Sequence, residues 1–593
     1  MRRRLILPIL PLALAGVVLA GCAATGVAAP DQSTDETSTS QTASAAVDTE
    51  LSAAAVLAAN DDATVIEDDE WSDAGAIDVT LAGSTATAAA DGVEVEGSTV
   101  TITAEGVYRL SGELDGSVVV AAPDDAQVVL ILDGVTIDNS DGPGISVTTA
   151  DDVVLSLADG SSNSVSDASS YDDSADANAA IYADADLTIS GTGSLTVTGN
   201  GNDGIASTDD LAIVGGNVTV DAVDDALRGK DALVVSGGAL DLTAGGDALK
   251  SDDDEDATRG YVWISGGSVT ATTGDDGIAA TTDAVITGGT VTLSAEGDAA
   301  DAETSAKGVT AGVVIAIDDG TVDVSAADDA IHSDGSIGIG GGTITAAAGD
   351  DGIHAEAALE ITAGTVTVSR SYEGLEATDI TIAGGTVDVT SSDDGLNGSG
   401  DAAASGTGES ASGTEATDDQ AAGPGGGMGG GMADTGETIT ISGGSLTVDA
   451  GGDGIDSNGS VAVTGGEIVV WGPTSQGNGA LDSNGGFEVT GGTLIAFGSA
   501  GMAESPDAGS AQAWLAAAAA GTAGDSVEIT DADGKVLASY TAVKDFETVV
   551  FSAADLVAGD EYTVVVDGES TTVTTGEALA GGMGAGGGPG QRP

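Results

Sequence analysis

Apolar and polar residues alternate along most of this chain in short runs that end at glycine turns. Residues 288–293 (GGTVTL) and 341–345 (GGTIT) are typical, because every second side chain after the turn is apolar. This period of two is that of a β-strand with one buried face. The pattern therefore predicts many short strands joined by tight turns.

The predicted strands recur in a repeat of about 22 residues, since residues 328–332 (DDAIH) return as residues 350–354 (DDGIH). Each repeat has an acid, here called the anchor, before a small residue and an apolar residue. The predicted anchors are Asp203, Asp225, Asp247, Asp276, Asp298, Asp329, Asp351, Glu373, Asp394, Asp453 and, in a degenerate copy, Gly479. This period is typical of a parallel β-helix, whose equivalent residues stack about 4.8 Å apart.

The N-terminus is typical of an exported lipoprotein. Three arginines precede an apolar run over residues 5–19 that is too short to span a membrane. Cys22 then follows Leu-Ala-Gly, which resembles a bacterial lipobox, and it is the chain's single cysteine. Because it has no disulfide partner, lipid attachment explains it best. We expect an exported protein anchored to the outer face of the cell membrane through Cys22.

Composition divides the chain further. Segments rich in Ser, Thr, Ala, Gly and Asp that lack periodicity are interpreted as flexible. The predicted segments are a signal peptide (1–21), a flexible tether (22–72), a parallel β-helix (73–505) with a disordered excursion at about 399–435, a C-terminal β cap (506–575) and a Gly-rich tail (576–593).

Charge narrows the possible partners. The chain has 97 acids against 13 bases and a formal net charge of −84. Such a chain repels a phosphate backbone, so nucleic acid is excluded as a partner. Aromatic residues are only 3 % of the chain, so the core must consist of Ala, Val, Ile and Leu. We expect a monomer whose membrane contact is the lipid anchor alone.

Stacked acids predict cation binding. Carboxylates about 5 Å apart repel by roughly 0.8 kcal/mol per pair in water, and calcium is the natural hard counterion outside the cell. The predicted calcium ligands, from the densest acidic coils, are Asp203, Asp224, Asp225, Asp247, Asp252, Asp254 and Asp256. An EF-hand is excluded because Ala257 and Trp263 stand where that loop needs Gly and Glu. The alternative is that these acids only solvate turns.

A second row of residues lies three positions after each anchor and includes Arg228, Lys250, His332 and His354. Basic and aromatic side chains concentrate near the densest acids. The candidate ligand-binding residues are Arg228, Lys230, Lys250, Arg259, Tyr261 and Trp263. Alternatively, the bases neutralise neighbouring aspartates and the aromatic residues cover an apolar patch. Two histidines are few ligands for a metal site.

Several motifs together resemble one family. Residues 106–112 (GVYRLSG), 132–135 (LDGV) and 202–205 (NDGI) resemble a bacterial carbohydrate-binding domain family of secreted β-helix proteins. The resemblance spans roughly residues 77–570. It implies an all-β, right-handed parallel β-helix related in fold to pectate lyases, bound calcium, and binding of plant cell-wall polysaccharide, acidic pectic chains in particular. On this resemblance, the six candidate ligand-binding residues become the predicted carbohydrate-binding residues.

We interpret the chain as a non-catalytic, calcium-dependent binder of acidic polysaccharide at the cell surface. One alternative is a pectate-lyase-like enzyme in which Lys250 or Arg228 acts as base. The other is a structural stalk or adhesin. The sequence has no Ser-His-Asp order, cysteine nucleophile, phosphate loop or nucleotide-binding fingerprint.

The lipobox generates the first testable prediction. We expect Cys22→Ala to move the protein from the membrane fraction to the soluble fraction, because the thiol is the predicted attachment point. Fractionation followed by immunoblotting measures this, and Ser33→Ala in the predicted tether is the control. Membrane association equal to that of the wild type would contradict the prediction.

Overall fold

The computed structural model describes residues 51–88, 91–172, 175, 177–297, 305–400 and 434–579. The chain divides into two units, residues 1–49 and 50–593, and every described residue lies in the second. The predicted signal peptide, Cys22, the Gly-rich tail from residue 580 and nearly all of the predicted excursion lie outside the described residues.

Parallel strands form three ladders in the described residues, and most coils supply one strand to each ladder. Ile331 lies opposite Ile353, and His332 lies opposite His354. These partners are 22 residues apart, as in the hydrogen bond between Asp351 and Asp329. The structure therefore confirms an all-β fold built mainly of parallel strands, which is consistent with the predicted β-helix.

The first ladder contains the short strands that follow the anchors. Its strands are Thr99–Ile102, Ser117–Ala121, Ile145–Thr149, Ala179–Ala183, Asp203–Ser207, Leu227–Gly229, Leu249–Ser251, Ile278–Ala280, Val309–Ala311, Ile331–Ser333, Leu396–Gly398 and Ile455–Ser457. Two strands bend from the first ladder into the second, Ile353–Ile361 and Leu375–Ile382.

The second ladder follows the first within each coil. Its strands are Ile77–Gly83, Asp152–Leu157, Asp186–Gly191, Asp210–Ile213, Ala232–Val235, Tyr261–Ile264, Ser336–Ile339, Thr438–Ile441, Ser460–Val463 and Gly486–Val489. Four strands bend from the second ladder into the third, Gly106–Asp115, Gln127–Asp138, Asp283–Ala295 and Val314–Ala326.

The third ladder completes each coil. Its strands are Ser162–Ser166, Ser194–Gly199, Asn217–Ala222, Ala239–Ala244, Ser268–Thr273, Thr343–Ala347, Thr365–Arg370, Thr386–Ser391, Ser445–Ala450, Glu467–Trp471 and Thr493–Gly498. Strand Thr386–Ser391 shows the predicted alternation, since Val387 and Val389 are buried between exposed polar neighbours. Small aliphatic side chains from the three ladders fill the interior.

Antiparallel strands cover both ends of the ladders. Ala86–Ala88 and Val93–Glu96 pair with early strands of the ladders. At the C-terminal end, Phe546–Ser552 pairs with Thr493–Gly498 and with Trp514–Gly521. A separate antiparallel sheet contains Ser526–Thr530, Val536–Thr541, Glu561–Val566 and Glu569–Thr574. These strands occupy the region predicted as a β cap and protect the last edge from pairing with another chain.

The anchor acids connect successive coils. Asp225 Oδ1 accepts the backbone N–H of Asp247 at 2.9 Å, and Asp247 Oδ1 accepts that of Asp276 at 2.9 Å. The same bond joins Asp203 to Asp225, Asp276 to Lys307, Asp329 to Asp351, Asp394 to Asp453 and Asp453 to Gly479. A buried backbone N–H that lies outside the ladders still needs a hydrogen-bond acceptor. The anchor carboxylate is that acceptor, and the hydrogen bond is charge-assisted.

The register corrects one predicted anchor. Ile278 pairs with Val309, and Lys307 donates its backbone N–H to Asp276 Oδ1 at 2.8 Å. Lys307 therefore occupies the anchor position assigned to Asp298, which lies outside the described residues. The inserted residues precede this corner of the coil rather than following it, so the acidic spacing alone was misleading.

Residues 51–66, which the sequence analysis assigns to the tether, pack against the second ladder. They include a short helix, Ala53–Ala59, capped by Ser52. Ala53 N–H donates to Asp318 Oδ2 at 3.1 Å, and Ile66 N–H donates to Thr188 Oγ1 at 3.2 Å. No helix in the described residues is long and apolar enough to cross a membrane.

A glycine turn generates the second prediction. Gly289 has φ +83, and a Cβ there would lie 3.0 Å from the carbonyl carbon of Gly266. We expect Gly289→Ala to lower the free energy of unfolding by about 1–2 kcal/mol, because an L-residue is strained in this region. Chemical denaturation measures the loss. Gly509→Ala is the control, since its Cβ would meet nothing within 4 Å. Equal stability of both variants would contradict this account.

Candidate functional site

A row of titratable side chains follows the first ladder and the corner that precedes it, and we call it the titratable stripe. It combines anchors with residues three positions later. Its members are Asp203, Asp225, Arg228, Asp247, Lys250, Asp276, Lys307, Asp329, His332, Asp351, His354, Glu373, Glu376, Asp394, Asp453, Asp456 and Asp482. Most aspartate anchors use Oδ1 for the next coil, which leaves Oδ2 for other partners.

The first section of the stripe, from Asp203 to Lys250, is neutralised by its own bases. Arg228 donates to Asp252 Oδ2 through Nε at 2.9 Å and Nη2 at 2.7 Å. Lys250 Nζ lies 3.1 Å from Asp225 Oδ2 and 2.8 Å from Asp247 Oδ2. Burial opposes the charged ammonium, but these aspartates outweigh it and raise the pKa of Lys250. Arg228 and Lys250, two of the four bases predicted to bind glycan, are thus held in ion pairs.

The predicted aromatic pair lies away from the stripe, on the second ladder. Tyr261 is 3 % exposed, and its hydroxyl donates to the carbonyl of Asp61 and accepts from the N–H of Ala63. Trp263 Nε1 donates to Thr287 Oγ1 at 3.0 Å, and its ring packs beside the short helix. The N-terminal segment therefore covers both rings, as in the alternative of an apolar patch.

The other two predicted carbohydrate-binding residues lie near that segment. Arg259 Nη1 forms an ion pair with Asp231 Oδ2 at 2.6 Å, and its side chain is 41 % exposed. Lys230, like Asp231, lies just before the second-ladder strand Ala232–Val235. Lys230 forms no ion pair within the part of the chain that the structure describes. The six predicted residues are consequently divided between two faces.

The acidic insertion at residues 252–256 mainly organises its own loop. Asp253 Oδ1 accepts the N–H groups of Glu255 at 2.8 Å and Asp256 at 3.1 Å. Asp252 is paired with Arg228, while Asp254 is exposed. These contacts favour the alternative in which the insertion's acids support a turn.

Of the seven predicted calcium ligands, Asp247 belongs to a compact carboxylate group. Its partners are Asp275 and Asp276, and one ligand atom from each lies within 4.8 Å of the others. Burial, Asp247 and Asp275 raise the pKa of Asp276 to about 7. Burial, Asp225 and Asp224 likewise raise the pKa of Asp203 to about 7. A bound cation would stabilise the ionised form of these carboxylates.

The second section, from Asp276 to His354, contains a lysine and both histidines. Lys307 Nζ lies 2.8 Å from Asp328 Oδ2 and 2.7 Å from Asp329 Oδ2. His332 Nδ1 lies 3.0 Å from the same Asp329 oxygen. Although burial acts in the other direction, His332 and Lys307 hold the pKa of Asp329 well below its usual range. The two histidines are neighbours on adjacent coils, as predicted, with ring centroids 4.9 Å apart and ring planes at 89° to each other.

The third section, from Glu373 to Asp482, lacks a basic partner among the described residues, and sequence reasoning missed it. Burial and neighbouring acids raise the pKa of Asp453 to about 7 and that of Asp456 to about 8. These shifts favour the protonated form of both carboxyls. The sequence feature that could have identified this section is an acid both at the anchor and three positions after it, as in Asp453 and Asp456.

Two further aromatic residues differ in exposure. Trp471 stacks on Phe497 at a centroid distance of 4.1 Å and is buried below the cap. Tyr372 is 48 % exposed and occupies the row in which the adjacent coils have Asp350 and Asp393. Tyr372 thus offers an open ring beside the third section.

Comparison with known proteins gives two similarities. Residues 96–352 match a family model described as carbohydrate-binding domain-containing protein. A solved structure, described as the polysaccharide lyase-like protein from C. thermocellum in a gadolinium derivative, is 31 % identical, with 44 % of this chain and 96 % of that chain covered and a TM-score of 0.37. No curated protein matches the sequence. The matched family segment contains the stripe from Asp203 to Asp351.

The third section generates a prediction about pH. The folded-state pKa values of Asp453 and Asp456, about 7 and about 8, lie above the ordinary value of 3.8. The folded state therefore binds these protons more tightly, and the resulting stability is lost as the pH rises through 7 and 8. In chelator, we expect the melting temperature to fall by a few degrees between about pH 5 and about pH 8.

A matched pair of variants assigns this effect. Asp456→Asn removes one of the shifted carboxyls, so we expect it to melt higher than the wild type at about pH 8 and to flatten the profile. Asp388→Asn, an exposed acid of the third ladder, is the control. Melting temperatures that rise with pH, or identical profiles for both variants, would contradict the assignment.

Proposed function

We propose that this chain binds polysaccharide, without cleaving it, at the outer face of the cell that exports it. The match of residues 96–352 to a carbohydrate-binding domain family carries this proposal. The β-helix-like ladders support it, because they present one long, regular surface on which a polymer can lie. We further propose that the coils wind in a right-handed sense and that a lipid attached to Cys22 anchors the chain.

We also propose that calcium mediates the binding, at the group formed by Asp247, Asp275 and Asp276. Calcium takes 6–8 oxygen ligands, and these three carboxylates have ligand atoms within 4.8 Å of one another. Asp247 is buried and Asp275 is exposed, so an ion held here would still face solvent. The remaining ligand positions are free for water and for hydroxyl or carboxylate oxygens of a sugar.

Acidic pectic polysaccharide is the finer ligand that we propose. A chain with a formal charge of −84 repels an acidic polymer, although salt near 0.15 M screens this repulsion beyond about 8 Å. A cation held by protein carboxylates and shared with uronate carboxylates changes the short-range interaction to attraction. Binding of acidic glycan should therefore depend on calcium more strongly than binding of neutral glycan does.

The ion pairs of the first section support binding over β-elimination. A catalytic base must accept a proton, yet Lys250 is held between Asp225 and Asp247, which keep it protonated. Arg228 uses two nitrogens on Asp252. These ion pairs count against either side chain as the base of a lyase, which was the first alternative.

The test is binding of polygalacturonate to the full chain with calcium and with chelator. We expect binding only with calcium, weakened at least several-fold by Asp275→Asn, because the exposed carboxylate would be a calcium ligand. Asp241→Asn, an exposed acid of the third ladder, should bind like the wild type. Equal binding by both variants would exclude this calcium group.

Two other outcomes decide between the alternatives. Absorbance from a 4,5-unsaturated uronate product would show a lyase and contradict the non-catalytic proposal. Failure to bind any glycan in calcium, by a protein with an unchanged melting curve, would favour a structural stalk or adhesin.

A further inference from the structure

We infer that the two Asp-x-x-His motifs on adjacent coils form a site for a divalent transition-metal ion such as Zn²⁺. The core ligands are Asp329, His332 and His354, and Asp351 is the candidate fourth ligand. The site lies in the second section of the stripe. It is separate from the all-oxygen group proposed for calcium and does not depend on that proposal.

The distances between ligand atoms suit a single ion. Asp329 Oδ2 lies 3.0 Å from His332 Nδ1 and 3.9 Å from His354 Nδ1, and Asp351 Oδ2 lies 3.4 Å from His354 Nδ1. Tetrahedral zinc with bonds of 2.0–2.1 Å requires ligand atoms about 3.3 Å apart. The observed values bracket that separation, and ligand atoms of Asp329, His332 and His354 all lie within 4.8 Å of one another. Asp351 forms a second such group with His354 and Glu376, so it can join the ion through its contact with His354.

The environment of the imidazoles is an independent observation. His332 Nδ1 is buried, and it forms an ion pair with Asp329 Oδ2 at 3.0 Å but no hydrogen bond of regular geometry. Its other nitrogen, Nε2, lies 3.2 Å from Asp334 Oδ1. A metal-bound histidine typically has this arrangement, with one nitrogen on the ion and the other directed at a carboxylate.

His354 repeats the arrangement one coil later. Its Nδ1 faces the oxygens of Asp329 and Asp351, while its Nε2 lies 3.9 Å from Glu356 Oε1. Each histidine thus has an outer carboxylate two residues further along the chain. Two imidazoles with carboxylates suit zinc and other late first-row metals, whereas calcium prefers oxygen ligands alone.

Lys307 competes with the ion for Asp329. Its Nζ lies 2.7 Å from Asp329 Oδ2 and 2.8 Å from Asp328 Oδ2. Metal binding at the Asp329 oxygen therefore requires the ammonium to keep only its contact with Asp328. This competition gives a variant that should bind metal more tightly than the wild type does.

The test is titration of the metal-free full chain with Zn²⁺ and with Co²⁺, in excess calcium that occupies ordinary carboxylate sites. We expect one zinc site, and visible Co²⁺ absorption bands much more intense than those of aqueous Co²⁺, as tetrahedral coordination gives. His332→Asn and His354→Asn should each weaken zinc binding at least tenfold. Thr310→Ala, the neighbour of His332 in the same ladder, should leave it unchanged.

Lys307→Met keeps both imidazoles and should tighten zinc binding at least several-fold, so the proposal remains testable if a histidine variant fails to fold. Circular dichroism identifies such a failure. Zinc affinity unchanged in folded His332→Asn and His354→Asn, or unchanged in Lys307→Met, would overturn the inference. Co²⁺ bands in the wild type no more intense than those of aqueous Co²⁺ would overturn it as well.

Discussion

One hydrogen bond constrains the rest of this molecule: an anchor carboxylate accepts the backbone N–H of the next coil. Asp225, Asp247 and Asp329 all form it through Oδ1 at 2.9–3.0 Å. An unpaired amide buried at that corner would cost about 1–3 kcal/mol, so nearly every coil needs an acceptor there. Because coils stack about 4.8 Å apart, the requirement for an acceptor also creates a row of mutually repelling carboxylates.

The three sections of the stripe solve this electrostatic problem differently. Lys250 neutralises the first section, Lys307 and the imidazoles of His332 and His354 occupy the second, and the third has shifted carboxyls such as Asp456. In the first two sections Oδ2, the oxygen that the backbone does not use, faces the counterion. The cation binding that we propose would use the same oxygens at the corners of the coils.

Sequence alone predicted the period, the parallel stacking and the row containing Arg228, Lys250, His332 and His354, because a 22-residue repeat fixes which side chains are neighbours. It failed where the repeat is interrupted. An insertion does not show on which side of a corner it lies, so Lys307 was missed as an anchor. Nor does periodicity reveal that a segment some 200 residues distant covers Tyr261.

The most direct test of this account is a crystal structure of the chain grown with calcium. The account predicts an ion bound by Asp247 Oδ2 and by the carboxylates of Asp275 and Asp276, with the Lys250 ammonium, which lies 2.8 Å from Asp247 Oδ2 without calcium, then held by Asp225 alone. Asp247 Oδ1 should remain within hydrogen-bond distance of the Asp276 amide, at about the present 2.9 Å. An ion that takes Oδ1 from that amide, or the absence of any ion at these carboxylates, would contradict the account, in which Oδ1 binds the backbone N–H and Oδ2 binds the cation.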